Sequence, residues 1–408
     1  MLNLSKYRVI EIGTAVSMPL CSAVLGNLGA EVIKIESKQK LDGNRIRIPK
    51  KDASGPLGTM ETFPLLHDLN PGKKSVTINL KSPDGRRIFI DLLKDADIFI
   101  QNFAPGWLQR IDLGPDVLAG INPRLIMMFA SGYGQSGPLS PTRVYATIMS
   151  GIGGLEGLVG EENGDVAGLV ATAFGDPNSA YFGVLEVLSA LYARERSGKG
   201  CLIDLSQIEA IATVLGEGII EWQATGNVPG PVGNSSRWLA PHGIYPCAGD
   251  DRWVAISVAN EDEWGALKRT MAADGCAWPA EERFTDMPHR LRHRKELDDL
   301  VSGWTIGQND RLLSERLQAE GVRCSPVLTI DELETDAHTV ARGFLQQVDH
   351  PMLGPMQITS TPWLFDGVRP KVNGVGPMLG SSNREVLGGL LGLSEAEIAR
   401  YEQEGILA

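Results

Sequence analysis

The residues with the clearest chemical potential lie in "AFGDPNSAYFG", residues 173–183. Asp176 stands before a proline and heads the long amphipathic run "PNSAYFGVLEVLSALYARERSGKG". Aspartate is a favoured N-cap and proline a favoured first helical residue, so local sequence alone makes Asp176 a helix cap. The same place also suits a working carboxylate. Helix-terminal amides stabilise an anion by about 0.3–1 kcal/mol and can cradle an oxygen that becomes negative during a reaction. Gly175 beside it is expected to leave room for a substrate.

Other chemistries find less in this sequence. The first strand-to-helix turn reads "GTAVSMP", not G-x-G-x-x-G, which argues against a dinucleotide with Glu36 as its ribose acid. "NPGKKS" and "SGKG" are only pieces of a P-loop, and "GYGQSGP" has no nucleophile elbow. The six histidines are scattered; His289 and His293 are four apart, but no carboxylate motif accompanies them, so a solvated face is the simpler reading and no metal is expected. Five widely spaced cysteines without a C-x-x-C form neither a disulfide framework nor a zinc site.

The net charge of -12 makes the chain a poor match for nucleic acid. Its cations gather early: Lys34, Lys38, Lys40, Arg45, Arg47, Lys50 and Lys51, then Lys73, Lys74, Lys81, Arg86 and Arg87, and later Arg110 and Arg143. Many belong to solvated surface, yet the bias fits a phosphate-bearing ligand. No signal peptide and no membrane-length apolar run is seen, so a cytoplasmic protein is expected.

The elements that must position these residues alternate. "YRVIEIG", "EVIKIE", "KSVTINL", "DIFIQNF" and "LIMMFASGYG" read as strands, with "PLCSAVLGNLGA" and "DGRRIFIDLLKDA" as helices between. This predicts an α/β fold with a parallel sheet and right-handed crossovers. Ligands bind such sheets at the carboxyl ends of the strands, which would gather the loops after Gly13, Glu36, Asn102 and Ser131. After the long helix, "CLIDLS" reads as a strand and Gln207 to about Thr225 as a helix. "GNVPGPVGNSS" is a candidate boundary, "GIYPCAGDDRWVAISVAN" a hairpin, and the tail a helix. The division expected is 1–225 for the first part of a large domain, 226–330 for a small domain and 331–408 for a return to the large one.

Six segments in order resemble the class III CoA-transferases, the family of the formyl-CoA and carnitine CoA-transferases. They are "VIEIG…LGNLGAEVIKIE", "NPGKKSVTINLKSPDGR", "DIFIQNFAPGWLQRIDLG", "NPRLIMMFASGYGQSGP", "GDPNSAYFGVLEVLSALYARERSGKG" and "PMLGSSNREVL". The resemblance implies a Rossmann-like large domain, a smaller α+β domain and two chains interlocked as linked rings. The resemblance implies a homodimer, or a heterodimer with a related subunit. It also implies that Asp176 is the nucleophile, because the family's aspartate lies in the same G-D before the same helix. Coenzyme A contacts carry over to Val16 and Ser17, to Ile78, Asn79, Leu80 and Lys81, to Asn102, Phe103 and Ala104, to Arg110, and to Arg143, Val144, Tyr145 and Ala146.

Two departures bear on the substrate. Ser37 stands where formyl-CoA transferase has an arginine after "VIKIE", with Lys38 as its substitute, and that enzyme's glycine-run loop is missing from the small domain. The resemblance therefore points to an acyl-CoA donor such as succinyl-CoA and a dicarboxylic or aryl-substituted acid such as benzylsuccinate, with Arg237 and His242 as candidates to meet a second carboxylate. A carboxylate nucleophile would work through an aspartyl anhydride and an aspartyl-CoA thioester, without metal or histidine base. A 2-methylacyl-CoA racemase of the same fold is the competing reading, disfavoured because no histidine lies between His67 and His242. A non-catalytic partner subunit is the third, disfavoured by Asp176 itself.

Overall fold

The structure, a computed structural model, describes residues 3–46, 60–162, 164–168 and 174–408. Arg47, Lys50 and Lys51 of the early cation cluster lie outside the described residues. The chain divides into two units: Met1–Leu155, Ala171–Gly216 and Ala337–Ala408 form the larger, and Glu156–Val170 with Glu217–Asp336 the smaller.

The larger unit is built on six parallel strands: β1 (Arg8–Ile12), β2 (Glu31–Glu36), β3 (Lys74–Thr77), β4 (Ile98–Gln101), β5 (Ile126–Ser131) and β6 (Cys201–Ser206). Their order is β3-β2-β1-β4-β5-β6, so the expected α/β architecture is present. The near-continuous apolar runs of β4 and β5 have a direct cause: helices cover both faces of the sheet. Alternate residues feed two cores. Ile10, Ile33 and Phe99 pack on one side, and Val9, Val32, Ile98 and Ile100 on the other.

The second of these cores brings two helices together. Helix Ser17–Asn27 contributes Met18, Cys21 and Val24, and helix Gly175–Ser197 contributes Ala180, Val184 and Val187. Gly183 lets them approach, since a Cβ there would stand 3.1 Å from Cys21 Sγ. The long helix ends at Gly198, whose φ of 71° is the left-handed conformation that suits a helix terminus.

Beneath the first turn lies a buried ionic cluster. Glu11 receives Lys34 at 2.9 Å, Lys73 at 2.8 Å and the Ser22 hydroxyl at 2.6 Å. Burial pushes the Glu11 carboxyl up, but the two lysines outweigh it and hold it at about 2. Arg45 is likewise buried and clamps Glu36 with two nitrogens, at 2.8 Å each. Lys34, Lys73 and Arg45 are thus consumed inside the fold. The early cation bias is partly structural rather than a phosphate-binding rim.

The smaller unit holds an antiparallel sheet of β7 (His242–Pro246), β8 (Trp253–Ser257) and β9 (Arg323–Pro326). The hairpin read from the sequence is β7 and β8, joined across Gly249 and Asp251, both at positive φ. Helices Glu261–Ala273, Arg294–Thr305 and Asp310–Ala319 cover one face, around Trp264, Leu297 and Leu317. Back in the larger unit, β10 (Leu345–His350) and β11 (Gly354–Thr359) form a separate ribbon.

Candidate active site

The order β3-β2-β1-β4-β5-β6 reverses direction between β1 and β4. Loops leaving these two strands part to opposite faces and open a crevice at their carboxyl ends. Thr14 follows β1 and Asn102 follows β4, and they meet there. Asn102 Oδ1 accepts from the Thr14 amide at 2.9 Å, and Asn102 Nδ2 donates to the Thr14 carbonyl at 2.8 Å and to Ser17 Oγ at 3.2 Å.

The rest of this turn is clamped from the β2 side. Lys34 donates to the Gly13 carbonyl at 2.6 Å, Asp42 accepts from the Ala15 amide at 3.1 Å, and Asn44 donates to the Ala15 carbonyl at 2.7 Å. Ala15 sits at φ 61°, a left-handed conformation that costs a residue with a Cβ, so these bonds hold a turn the chain does not adopt by itself. They set Val16 and the buried Ser17 at the start of helix Ser17–Asn27.

Asp176 occupies the first turn of helix Gly175–Ser197 and is 9% exposed. It is not the cap that local sequence suggests: the helix already begins at Gly175, and no side chain caps its start. The neighbouring glycine also has a different reason from the one expected. A Cβ at Gly175 would lie 2.7 Å from Ile211 Cδ1, so the glycine admits helix Gln207–Ala212 rather than a substrate. That short helix is tied to the long one by Asn178 Nδ2 donating to the Ala210 carbonyl at 2.8 Å. Its first residue is Gln207, buried and turned toward the aspartate.

Three elements therefore converge on one carboxyl. Burial raises Asp176 to about 6, while Gln207 and Ser17, the polar side chains that approach it, pull the other way. Gln207 Nε2 is buried with no close hydrogen-bond partner among the described residues, so its effect acts across a longer gap. No cation pairs with Asp176 among the described residues. Since Ser17 lies by Asp176 and Cys21 by Gly183, the two helices run the same way with their N-termini side by side. Neither start carries a side-chain cap, so both present amides whose dipoles favour negative charge.

Gly13 and Thr14 also line a cavity of about 230 Å³. Ile78, Asn79, Leu80, Lys81 and Phe103 line it, all expected from the sequence. Phe103 and Trp107 face each other at 4.7 Å, and Lys40 stands 5.3 Å above the Phe103 ring. Lys40, not Lys38, reaches this cavity, and Ser37 lines it while donating to the Ala408 carbonyl at 3.2 Å.

The remaining expected positions are elsewhere in the larger unit. Ala104 follows Phe103 outside the lining; Arg110 is exposed on the turn Gln109–Ile111, of which Ile111 alone lines the cavity. Arg143, Val144, Tyr145 and Ala146 lead into helix Ala146–Ile152, where Val144 packs on Gly132 so closely that a Cβ there would meet its Cγ2 at 1.9 Å. Arg237, in the smaller unit, donates through Nη1 to both oxygens of the Glu221 carboxylate, at 2.8 and 2.7 Å. Motif and spacing alone do not single out Gln207, Trp107, Lys40, Asp42 or Asn44 as site residues. For Gln207 the available signal is its place directly after a parallel strand's carboxyl end.

Comparison with known proteins places this geometry. The model of CoA-transferase family III matches residues 4–383. A succinyl-CoA–D-citramalate CoA-transferase of Chloroflexus aurantiacus is 31% identical over 404 residues, covering 99% of this chain and 98% of that one. The alpha subunit of a succinyl-CoA–L-malate CoA-transferase of the same organism is 32% identical over 409 residues, covering 100% and 93%. The crystal structure of a CAIB/BAIF family protein from Brucella suis matches with a TM-score of 0.83 at 28% identity, covering 95% of this chain and 99% of that one.

Proposed function

The chain belongs to CoA-transferase family III, and on that premise we propose that Asp176 is the nucleophile that carries CoA from an acyl-CoA to a carboxylic acid. The observation that carries this reading is a buried carboxyl with no cationic partner among the described residues, set between two uncapped helix starts. A carboxylate freed from strong ion pairing and from most of its water is a better nucleophile, and at about 6 it is still ionised at neutral pH.

Asp176 attacks the thioester carbonyl, the C–S bond breaks, and CoA thiolate leaves a mixed acyl-aspartyl anhydride. The thiolate then attacks the aspartyl carbonyl and expels the donor acid, leaving an aspartyl-CoA thioester. The acceptor carboxylate attacks that carbonyl, expels thiolate and forms the second anhydride. The thiolate finally takes the acceptor's acyl carbon and returns the Asp176 carboxylate. Each step builds negative charge on a carbonyl oxygen, which the amides of the two helix starts and the Gln207 amide are placed to meet.

The 230 Å³ cavity is assigned to the adenine end of CoA, with Phe103 and Trp107 as a stacking surface and Lys40 and Lys81 for phosphate. The relatives' names support succinyl-CoA as donor and a dicarboxylic acid as acceptor, a class that includes the aryl-substituted benzylsuccinate. They also name alpha and beta subunits, which fits a dimer of this chain with itself or with a related one, interlocked as the family resemblance implies.

The test is incubation with succinyl-CoA and a panel of mono- and dicarboxylic acids, with mass detection of new thioesters. New thioesters are expected with at least one dicarboxylic acid. Exchange of an α-proton into deuterated water without transfer would instead mark a racemase.

A further inference from the structure

Gln207 is 6% exposed, and its Nε2 has no hydrogen-bond partner among the described residues. Folded proteins match nearly all their buried amides, because an unmatched donor keeps the full cost of leaving water. An idle buried donor therefore points to a partner that arrives during function. Its position says which partner. Gln207 and Ile211 are one turn apart on helix Gln207–Ala212 and share a face. Ile211 packs on Gly175, where a Cβ would lie 2.7 Å from its Cδ1. Asn178 Nδ2 ties the same short helix to the long one, donating to the Ala210 carbonyl at 2.8 Å. The Gln207 amide is thus held at the start of helix Gly175–Ser197, beside the Asp176 carboxyl.

Ser17, the other polar side chain near Asp176, is already engaged. Its Oγ accepts from Asn102 Nδ2 at 3.2 Å, and Asn102 is fixed by both backbone groups of Thr14. Gln207 Nε2 has no such tie. The transfer cycle raises oxyanions on two kinds of carbon. In its first and last steps the charge builds on a substrate carbonyl oxygen. In the two inner steps Asp176 is itself the electrophile. Thiolate adds to the carboxyl carbon of acylated Asp176, and the C=O electron pair moves onto the Asp176 oxygen that carries no acyl group. Collapse expels the donor carboxylate and leaves the aspartyl-CoA thioester. The acceptor carboxylate then adds to the same carbon, and the charge returns to the same oxygen until thiolate leaves. A carboxylate spreads one charge over two oxygens, whereas this oxyanion places it on one. A donor beside that oxygen acts most strongly there.

We propose that Gln207 Nε2 is the oxyanion donor of the two inner steps, in which Asp176 is attacked, and not of the outer two, in which the substrate carbonyl is. The proposal rests on Asp176 as the nucleophile. It divides the oxyanion donors between stages, leaving the helix-start amides for the outer steps. It also accounts for an amide kept without a partner in the free protein, since the charge it meets exists only after acylation.

The test compares wild type with Gln207→Met, which keeps the length and bulk of the side chain without its amide. Each is mixed with succinyl-CoA alone, quenched in acid over a time course and weighed as intact protein, so that acyl and CoA adducts are followed separately. In the variant, total adduct should appear within about threefold of the wild-type rate, but as acyl adduct, with CoA adduct forming about a hundredfold more slowly. The midpoint of urea denaturation should not fall, because the lost group has no partner. Should Gln207→Met not fold, Gln207→Asn, which draws the amide back by one carbon, is read in the same way. CoA adduct forming at the wild-type rate, or an equal slowing of total adduct, overturns the proposal. A wild type that carries neither adduct is a different failure, that of the Asp176 reading itself.

Discussion

Asn102 holds Thr14 by both backbone groups, accepting from its amide at 2.9 Å and donating to its carbonyl at 2.8 Å. The pair bridges the two loops where the strand order reverses, and it fixes the turn that delivers Ser17 toward Asp176. Asn102→Ala leaves a part-buried amide and carbonyl unmatched, at a cost of about 1–3 kcal/mol. Urea denaturation should register that loss. Transfer activity should fall more steeply than global stability explains, because the turn at Ala15 loses a restraint on its left-handed conformation.

The protonation of Asp176 couples stability and activity with opposite signs. Its folded-state pKa, about 6, lies above the 3.8 of an unperturbed aspartate. The folded state therefore binds the proton more tightly. The stabilisation is fully present below pH 3.8 and is lost as pH rises through about 6, amounting to about 3 kcal/mol over that window. The difference in unfolding free energy between wild type and Asp176→Asn should slope downward across this range. The kcat/KM for acyl-CoA should climb over the same range as the nucleophile ionises. Gln207→Leu removes a group that favours the charged form, so its acid limb should move to higher pH.

The ionic cluster under the turn is a structural commitment. Lys34 is buried, bonded to Glu11 and to the Gly13 carbonyl, and 3.3 Å from Asp42. Lys34→Met removes one partner and strands the other charges, a change that costs about 3–5 kcal/mol. A lower midpoint of chemical denaturation is expected. Lys34→Arg, which keeps the charge but not the shape, should lose less.

Cavity residues should separate binding from chemistry. Phe103→Ala removes a ring that faces Trp107 and lies under Lys40. Stacking and apolar burial by this ring are worth about 1–3 kcal/mol, so KM for acyl-CoA should rise roughly tenfold or more while kcat changes little. Initial-rate kinetics at saturating acceptor decide this.

Much of the architecture is legible because parallel strands buried on both faces must be apolar. "EVIKIE" and "IFIQ" could hardly be anything else, and Glu31–Glu36 and Ile98–Gln101 are strands. The helix expected from Gln207 to Thr225 is instead broken by the turn Thr213–Leu215 into Gln207–Ala212 and Gly216–Thr225. Periodicity does not reveal such a break, because both halves keep helical spacing. Phe103 and Ile78 are expected only through the family resemblance, and Trp107, which lies past the "DIFIQ" strand, is not singled out by it. The roles of Lys34 and Lys40 are equally hidden: a lysine in a charge run reads the same whether it pairs with Glu11 in the core or faces a ligand. Gly175 shows the opposite problem. The glycine stands out in the sequence, but its neighbour, Ile211, comes from a helix more than thirty residues away.

The central claim is that Asp176 becomes covalently acylated. The most direct measurement is intact-protein mass spectrometry after brief incubation with succinyl-CoA, quenched in acid, on wild type and Asp176→Ala with equal thermal stability. The account predicts an acyl or CoA adduct on wild type that maps to the peptide carrying Asp176, and neither adduct nor transfer in the variant. Wild-type rates of transfer by Asp176→Ala would contradict it.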